Sequence, residues 1–132
     1  MNATLHQLID MPDQLTTLWQ AHADDLSQQR LGKVVLILGH LADVELIYGA
    51  RLRQSKLAGH SNWQVLIQET RPEHYILMAN ASLRCFMRLR DWNLEYCKGK
   101  DLGQSHYEVL HLITQHDAKR FAQLEALMKT PS

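Results

Sequence analysis

Residues 105–128, SHYEVLHLITQHDAKRFAQLEALM, decide the fold class, because their apolar positions recur at the spacing of an amphipathic helix. Ser105 and Glu108 have the S-x-x-E spacing of a capping box, which predicts that a helix starts here. The predicted inward face carries Val109, Ile113, His116, Arg120, Leu124 and Leu127. Two of these residues, His116 and Arg120, are polar, and a buried polar side chain needs a partner.

Three further segments show the same periodicity, so the sequence predicts an all-α protein with helices near residues 11–27, 33–55, 72–93 and 105–128. Asp10 is expected to cap the first helix, with Pro12 in its first turn. Gly32 is expected to separate the first two helices, and residues 97–100 (CKGK) are expected to follow the third.

The connection between the second and third helices, residues 56–70, is long enough to cross the bundle. Such a crossover allows these two helices to run parallel, whereas short loops make neighbouring helices antiparallel. We therefore predict a single domain, residues 1–132, folded as an up-down-down-up four-helix bundle. Four apolar residues of the connection are expected to pack on that bundle: Trp63, Val65, Leu66 and Ile67.

Composition excludes several classes of function. Lys plus Arg and Asp plus Glu number 14 each, so the chain has no overall positive field to attract nucleic acid or an anionic membrane. The N-terminal sequence has no continuous apolar export segment, and the two isolated cysteines, Cys85 and Cys97, suit a reducing compartment. We expect a cytoplasmic protein, in which the exposed-looking arginines form a solvated, salt-bridged helix surface: Arg51, Arg53, Arg84, Arg88 and Arg90.

Three of the eight histidines lie on or beside the apolar face of a different predicted helix: His22, His40 and His116. An imidazole in such a position must find either a hydrogen bond or a metal ion. Spacing alone leaves both interpretations open, namely core histidines satisfied by hydrogen bonds and ligands of a shared metal.

Two sequence segments carry a resemblance to a known family. Residues 39–45, GHLADVE, and residues 116–124, HDAKRFAQL, resemble the second-helix G-H-L-A-D-x-E and last-helix H-D-x-x-H-L-x-Q segments of the DinB-like four-helix-bundle family. The resemblance implies a divalent metal, often zinc or nickel, held by one histidine of the second helix and two histidines of the last. It also implies a function related to metal-dependent thiol transferases, isomerases or hydrolases.

By this resemblance His40 and His116 match the first two metal ligands, but Arg120 stands at the third position. A guanidinium has no lone pair to offer a cation, so the metal site is predicted to be degraded. Arg120 could fill the space of the ion, with Asp43, Glu45 or another inward carboxylate neutralising it. Alternatively His22 could be a substitute ligand. In the third interpretation two histidines hold a metal weakly and Arg120 binds an anionic substrate.

Two hypotheses of function follow. One is a metal-dependent transferase or hydrolase that uses His40 and His116 with a substitute ligand, where the ion would activate a thiol or water. The other is a non-catalytic bundle that has lost the ion and acts through a surface or an apolar pocket, with a small molecule as a candidate ligand. In either case we expect a homodimer, the commonest symmetric oligomer of soluble proteins, and no nucleic-acid or membrane partner.

Overall fold

The protein consists of four long α-helices over the residues that the structure describes, 2–53, 68, 71–98 and 100–130 of a computed structural model. The helices are α1 (Asn2–His22), α2 (Gln28–Leu52), α3 (Tyr75–Cys97) and α4 (Gln104–Lys129). Short 3-10 turns at Ala23–Asp25 and Pro72–His74 precede α2 and α3. These ranges contain no strand, and the predicted all-α class is confirmed. None of the described helices has the length and apolar content needed to span a bilayer.

The predicted start of the first helix was wrong. Helix α1 begins at Asn2, so Pro12 lies in its interior, where Asp10 cannot act as the cap. An interior proline is unfavourable because it has no N–H for the carbonyl four residues earlier, which here belongs to Leu8. The helix tolerates Pro12 because the Arg90 side chain donates a hydrogen bond to that carbonyl from α3 at 2.8 Å.

Two other helix starts also differ from prediction. Ser27 caps α2 by accepting a hydrogen bond from the Arg30 N–H, so Gly32 lies inside α2 instead of before it. Helix α4 begins after Gly103, and the predicted capping box at Ser105 is not the cap. The Gly103 N–H donates instead to His106 Nδ1 at 3.1 Å, so an imidazole takes the place of a carboxylate. Side chains of several types can satisfy the free N–H groups of a first turn.

The core has two apolar clusters with a polar layer between them. The larger cluster includes Leu15, Leu38, Phe86 and Leu124, and the smaller one comprises Leu8, Leu52, Leu110 and Ile113. Full burial of one such side chain contributes about 1.5–3 kcal/mol. Between the two clusters, α2, α3 and α4 each bury a charged residue, and these are Glu45, Arg90 and Asp117.

Hydrogen bonds that side chains make to side chains or backbone carbonyls of other helices show how the helices are paired. The bonded residues follow one another in the same order along α2 and α3. They follow one another in opposite order along α2 and α4, and along α1 and α3. The α2–α3 pairs are Glu45–Arg90 and Arg53–Asn93. The α2–α4 pairs are Tyr48–His116 and Arg30–Leu127. The α1–α3 pairs are Leu8–Arg90 and Trp19–Asn80. The predicted up-down-down-up arrangement is compatible with this order. The crossover itself, including Trp63, Val65, Leu66 and Ile67, lies outside the described residues.

Candidate functional site

Helices α2 and α4 form a groove that contains two residues of the predicted metal site. His40 of α2 and Arg120 of α4 both line this groove, which has a volume of about 510 Å³. Its other polar lining residues are Lys33 and Gln123. The apolar part of the wall consists of Leu36, Ile37, Ala126 and Leu127. We refer to this feature as the α2–α4 groove.

The third residue of interest, His116, is not among those lining the groove. Its Nε2 lies 3.2 Å from the Tyr48 hydroxyl, and the two rings are 5.4 Å apart. Its Nδ1 is buried without a hydrogen-bond partner. Burial, together with the positive charges of Arg120 and Lys119, lowers the pKa of His116. The structure therefore brings His40 together with Arg120, and brings His116 together with Tyr48.

The position of the remaining candidate, His22, is at the C-terminal end of α1, where it is half-buried. Within residues 2–53, 68, 71–98 and 100–130, no three histidine, cysteine or acidic side chains lie together as a group that could hold a metal ion. Whether His40 and His116 bind a metal stays a prediction.

Arg120 is only partly satisfied by the protein. Its Nη1 donates to Gln123 Oε1 at 2.9 Å, one turn along α4, and its Nε is buried without a partner. Among the described residues it makes no ion pair. The prediction that Glu45 could neutralise Arg120 was wrong, because both carboxylate oxygens of Glu45 accept from a different arginine.

That arginine is Arg90 of α3, which the sequence placed on a solvated surface. This prediction was wrong for Arg90, whose exposed fraction is 1%, whereas its neighbours Arg84 and Arg88 are exposed. The Arg90 Nε and Nη2 donate to the two oxygens of Glu45 at 2.9 Å each, and Nη2 also donates to Asp117 Oδ1 at 2.7 Å. Bidentate pairing of this kind is the strongest arrangement that a guanidinium and a carboxylate can form.

The Leu8 carbonyl completes this set, because Arg90 Nη1 donates to it. Arg90, Glu45, Asp117 and the Leu8 carbonyl form what we call the central ion network, to which each of the four helices contributes one member. Unpaired buried charges are strongly destabilising, so the network holds the four helices in one relative position.

Asn93 links the central ion network to the protein surface. Its Nδ2 donates to Glu45 Oε2 at 2.8 Å and to the Glu45 carbonyl at 3.0 Å, while its Oδ1 accepts from Arg53 Nη1 at 2.7 Å. The Arg53 guanidinium in turn lies 3.3 Å from the centre of the Trp92 ring, and burial lowers the pKa of Arg53. Arg53 was also predicted as a plain surface residue, but it is part of this chain of contacts.

Gly49 makes the α2–α3 approach around Asn93 possible. A Cβ at this position would lie 2.9 Å from both Asn93 Nδ2 and Trp92 Cζ3, and closer still to Asn93 Oδ1. Such distances are below van der Waals contact. Gly49 therefore permits the contact between Asn93 and the α2 backbone.

The three ionisable groups of the central ion network carry one positive and two negative charges. Burial raises the pKa of Asp117 to about 6; the Arg90 guanidinium opposes this shift, and the charge of Glu45 adds to it. Burial lowers the pKa of Arg90, but Glu45 and Asp117 together raise it by more. Protonation of Asp117 would leave the network neutral, and Asp117 Oδ2, which has no hydrogen-bond partner, is the oxygen available for the proton.

The sequence contained a signal for this network, but the two motifs directed the prediction to the histidines and Arg120 instead. Glu45 and Asp117 belong to the two quoted motifs, and Arg90 falls four residues after Phe86 on the inward face of α3. Two inward carboxylates require an inward cation, and Arg90 is the residue at the matching level.

None of the family models, curated proteins or solved structures with which the chain was compared matches it.

Proposed function

We propose that this chain is a DinB-like bundle, derived from metal-dependent thiol transferases and hydrolases, in which an arginine has replaced the metal ion. The observation that supports the proposal best is that His40 and Arg120 line one groove. A guanidinium beside the motif histidine repels a divalent cation and cannot act as its ligand. The Tyr48 hydroxyl also lies within hydrogen-bond distance of His116 Nε2, one of the two ring nitrogens through which a histidine can bind a metal.

The second candidate is a divalent-metal-dependent transferase or hydrolase that uses His40 and His116 with a substitute ligand such as His22. The observation that favours it is the buried Nδ1 of His116, which has no hydrogen-bond partner. An open catalytic zinc site keeps three protein ligands and one position for water or substrate. This candidate therefore predicts tight, stoichiometric metal binding by the unmodified protein.

Calorimetric titration with zinc and nickel separates the two candidates. We expect no stoichiometric binding by the unmodified protein prepared without an affinity tag. Arg120→His should introduce a second imidazole one turn from His116 and create weak metal binding. Adding Tyr48→Phe should strengthen that binding, because it frees His116 Nε2 from the tyrosine hydroxyl.

Arg120→Gln is the matched control, since it removes the positive charge without supplying an imidazole. It should bind neither metal. Thermal melts with and without chelator provide an independent measurement, because a metal bound only by the folded state raises the melting temperature. Tight binding by the unmodified protein would overturn the proposal in favour of the metal enzyme, and absence of binding by the double variant would remove the motifs as its basis.

We also propose that the protein is a cytoplasmic homodimer. Large apolar side chains are exposed on several helices, including Leu77 at 66% and Ile9 at 51%. Where such side chains form a contiguous apolar patch, a partner often covers them. Light scattering at micromolar concentration should give twice the mass of one chain, and a single-chain mass would contradict the proposal.

A further inference from the structure

The charged residues that line the α2–α4 groove, within the part of the chain that the structure describes, are all basic. Lys33 and Arg120 bring two positive charges, and none of the described residues that line the groove is a carboxylate. This is a local property, because the whole chain has equal numbers of acidic and basic residues. A concave surface lined by one sign of charge concentrates small ions of the opposite sign.

The hydrogen-bonding state of Arg120 points in the same direction. A guanidinium has five N–H hydrogens, of which Arg120 uses one, on Gln123. Its Nε is buried and lacks an acceptor, which is an unfavourable state for a donor. A carboxylate can accept from Nε and Nη2 together in the bidentate geometry that arginine favours, if the side chain turns to expose Nε to the groove.

We propose that the α2–α4 groove binds a small organic carboxylate, whose head group pairs with Arg120 and whose apolar tail lies along Leu36, Ile37 and Leu127. The groove volume of about 510 Å³ is within the range of small-molecule sites. The apolar wall favours a carboxylate with a hydrocarbon tail over inorganic phosphate or acetate. This inference rests on the proposed function, because it takes Arg120 and not a metal ion as the charge in the groove.

Titration with octanoate, followed by NMR, tests the inference on the full chain. We expect a Kd on the order of 1 mM for a ligand of this size, with shifts of the Gln123 side-chain amide and of the Leu127 methyl groups. Octylamine has a tail of the same length and the opposite charge, so it should not bind. Acetate and inorganic phosphate should bind more weakly than octanoate because they lack the tail.

Arg120→Gln should weaken octanoate binding by about tenfold or more, since it removes a charge-assisted hydrogen bond. Arg88→Gln is the matched control, because it removes the same charge from an exposed position on α3 and should leave the Kd unchanged. Equal binding of octanoate and octylamine, an unchanged Kd in Arg120→Gln, or shifts confined to another face would overturn the inference. So would absence of any shift at about 20 mM octanoate, many times the expected Kd.

Together with the zinc and nickel titrations, the octanoate titration distinguishes failure of the carboxylate site from failure of the proposed function. Absence of both metal and octanoate binding would overturn the carboxylate site and leave the replaced metal site standing. Tight binding of zinc or nickel by the unmodified protein would overturn both, since the groove would then hold a metal ion.

Discussion

Arg90 and Arg120 are both on inward helix faces, but the protein satisfies one and not the other. Arg90 is fully buried and donates to two carboxylates and a backbone carbonyl. Arg120 is half-buried, donates to Gln123 alone among the described residues and leaves its Nε without an acceptor. A guanidinium whose hydrogen-bond partners are all supplied by the protein stabilises the folded structure. A guanidinium with unsatisfied N–H groups is available to bind a ligand.

The largest expected difference between the two arginines is in stability. Arg90→Met removes the only cation of the central ion network and leaves Glu45 and Asp117 as buried, unpaired carboxylates. We expect the free energy of unfolding to fall by about 3–5 kcal/mol, as for other broken buried ion pairs. Urea unfolding measures this, with Arg88→Met as the control on the same helix, which should change by less than about 0.5 kcal/mol. A loss of less than about 1 kcal/mol for Arg90→Met would mean that the network is not a stabilising unit.

The next-largest expected change in the free energy of unfolding is for Gly49→Ala, and its size depends on how rigidly the residues around Arg90 are held. Alanine is normally better than glycine inside a helix by about 1 kcal/mol, so Gly49→Ala would ordinarily stabilise α2. Here the new Cβ would overlap the Asn93 amide, which Glu45 and Arg53 hold in place. We therefore expect a loss of about 1–3 kcal/mol in urea unfolding.

The Gly49→Ala loss should be smaller in an Asn93→Ala background, because the overlapping amide is then absent. The double-mutant cycle gives the coupling between the two positions. A stabilising Gly49→Ala would show that Asn93 moves freely, and would weaken the contrast with the groove.

The third effect concerns the net negative charge of the central ion network. Since the pKa of Asp117 is raised to about 6 in the folded protein, the folded state binds a proton more tightly than the unfolded state does. The resulting stability is fully present below the ordinary aspartate pKa and is lost as the pH rises through about 6. The contribution of Asp117 to the unfolding free energy should therefore fall between pH 4.5 and 7.5, by on the order of 1–2 kcal/mol.

Asp117→Asn supplies the reference for this measurement, because it cannot titrate while every other group still does. The fall with pH should be smaller in this variant than in the unmodified protein. Identical pH dependence in the two proteins would show that Asp117 has an ordinary pKa and that the network tolerates its extra negative charge.

The smallest change in the free energy of unfolding is expected for substitution of Arg120. Arg120→Met removes a half-buried cation with one hydrogen bond and an unsatisfied Nε. We expect a change of less than about 1 kcal/mol in either direction. Urea unfolding under the conditions used for Arg90→Met measures it. If the two substitutions cost the same, Arg120 is a structural residue like Arg90, and the case for a ligand in the groove is lost.

Apolar periodicity was enough to predict the four helices, since burial of one face is a property of each segment alone. It could not predict where α1 starts, because Pro12 is tolerated only through a hydrogen bond from a residue 78 positions away in the chain. Likewise the motifs led to His40 and Arg120 in one groove, but they did not reveal that Glu45 and Asp117 belong to Arg90. Such pairings depend on three helices meeting at one level, which local spacing does not encode.

The contribution of one network member by each helix has a consequence for the order in which the bundle assembles. A folding intermediate that lacks any one helix would either bury a charge without its partner or leave the Leu8 carbonyl without a donor. Before α3 docks, the first turns of α1 have a gap in their own hydrogen bonding at Pro12, so they should fray. We therefore expect single-exponential folding with no populated three-helix species, and hydrogen exchange of the amides around Leu8 in α1 that is as slow as in the centre of α3.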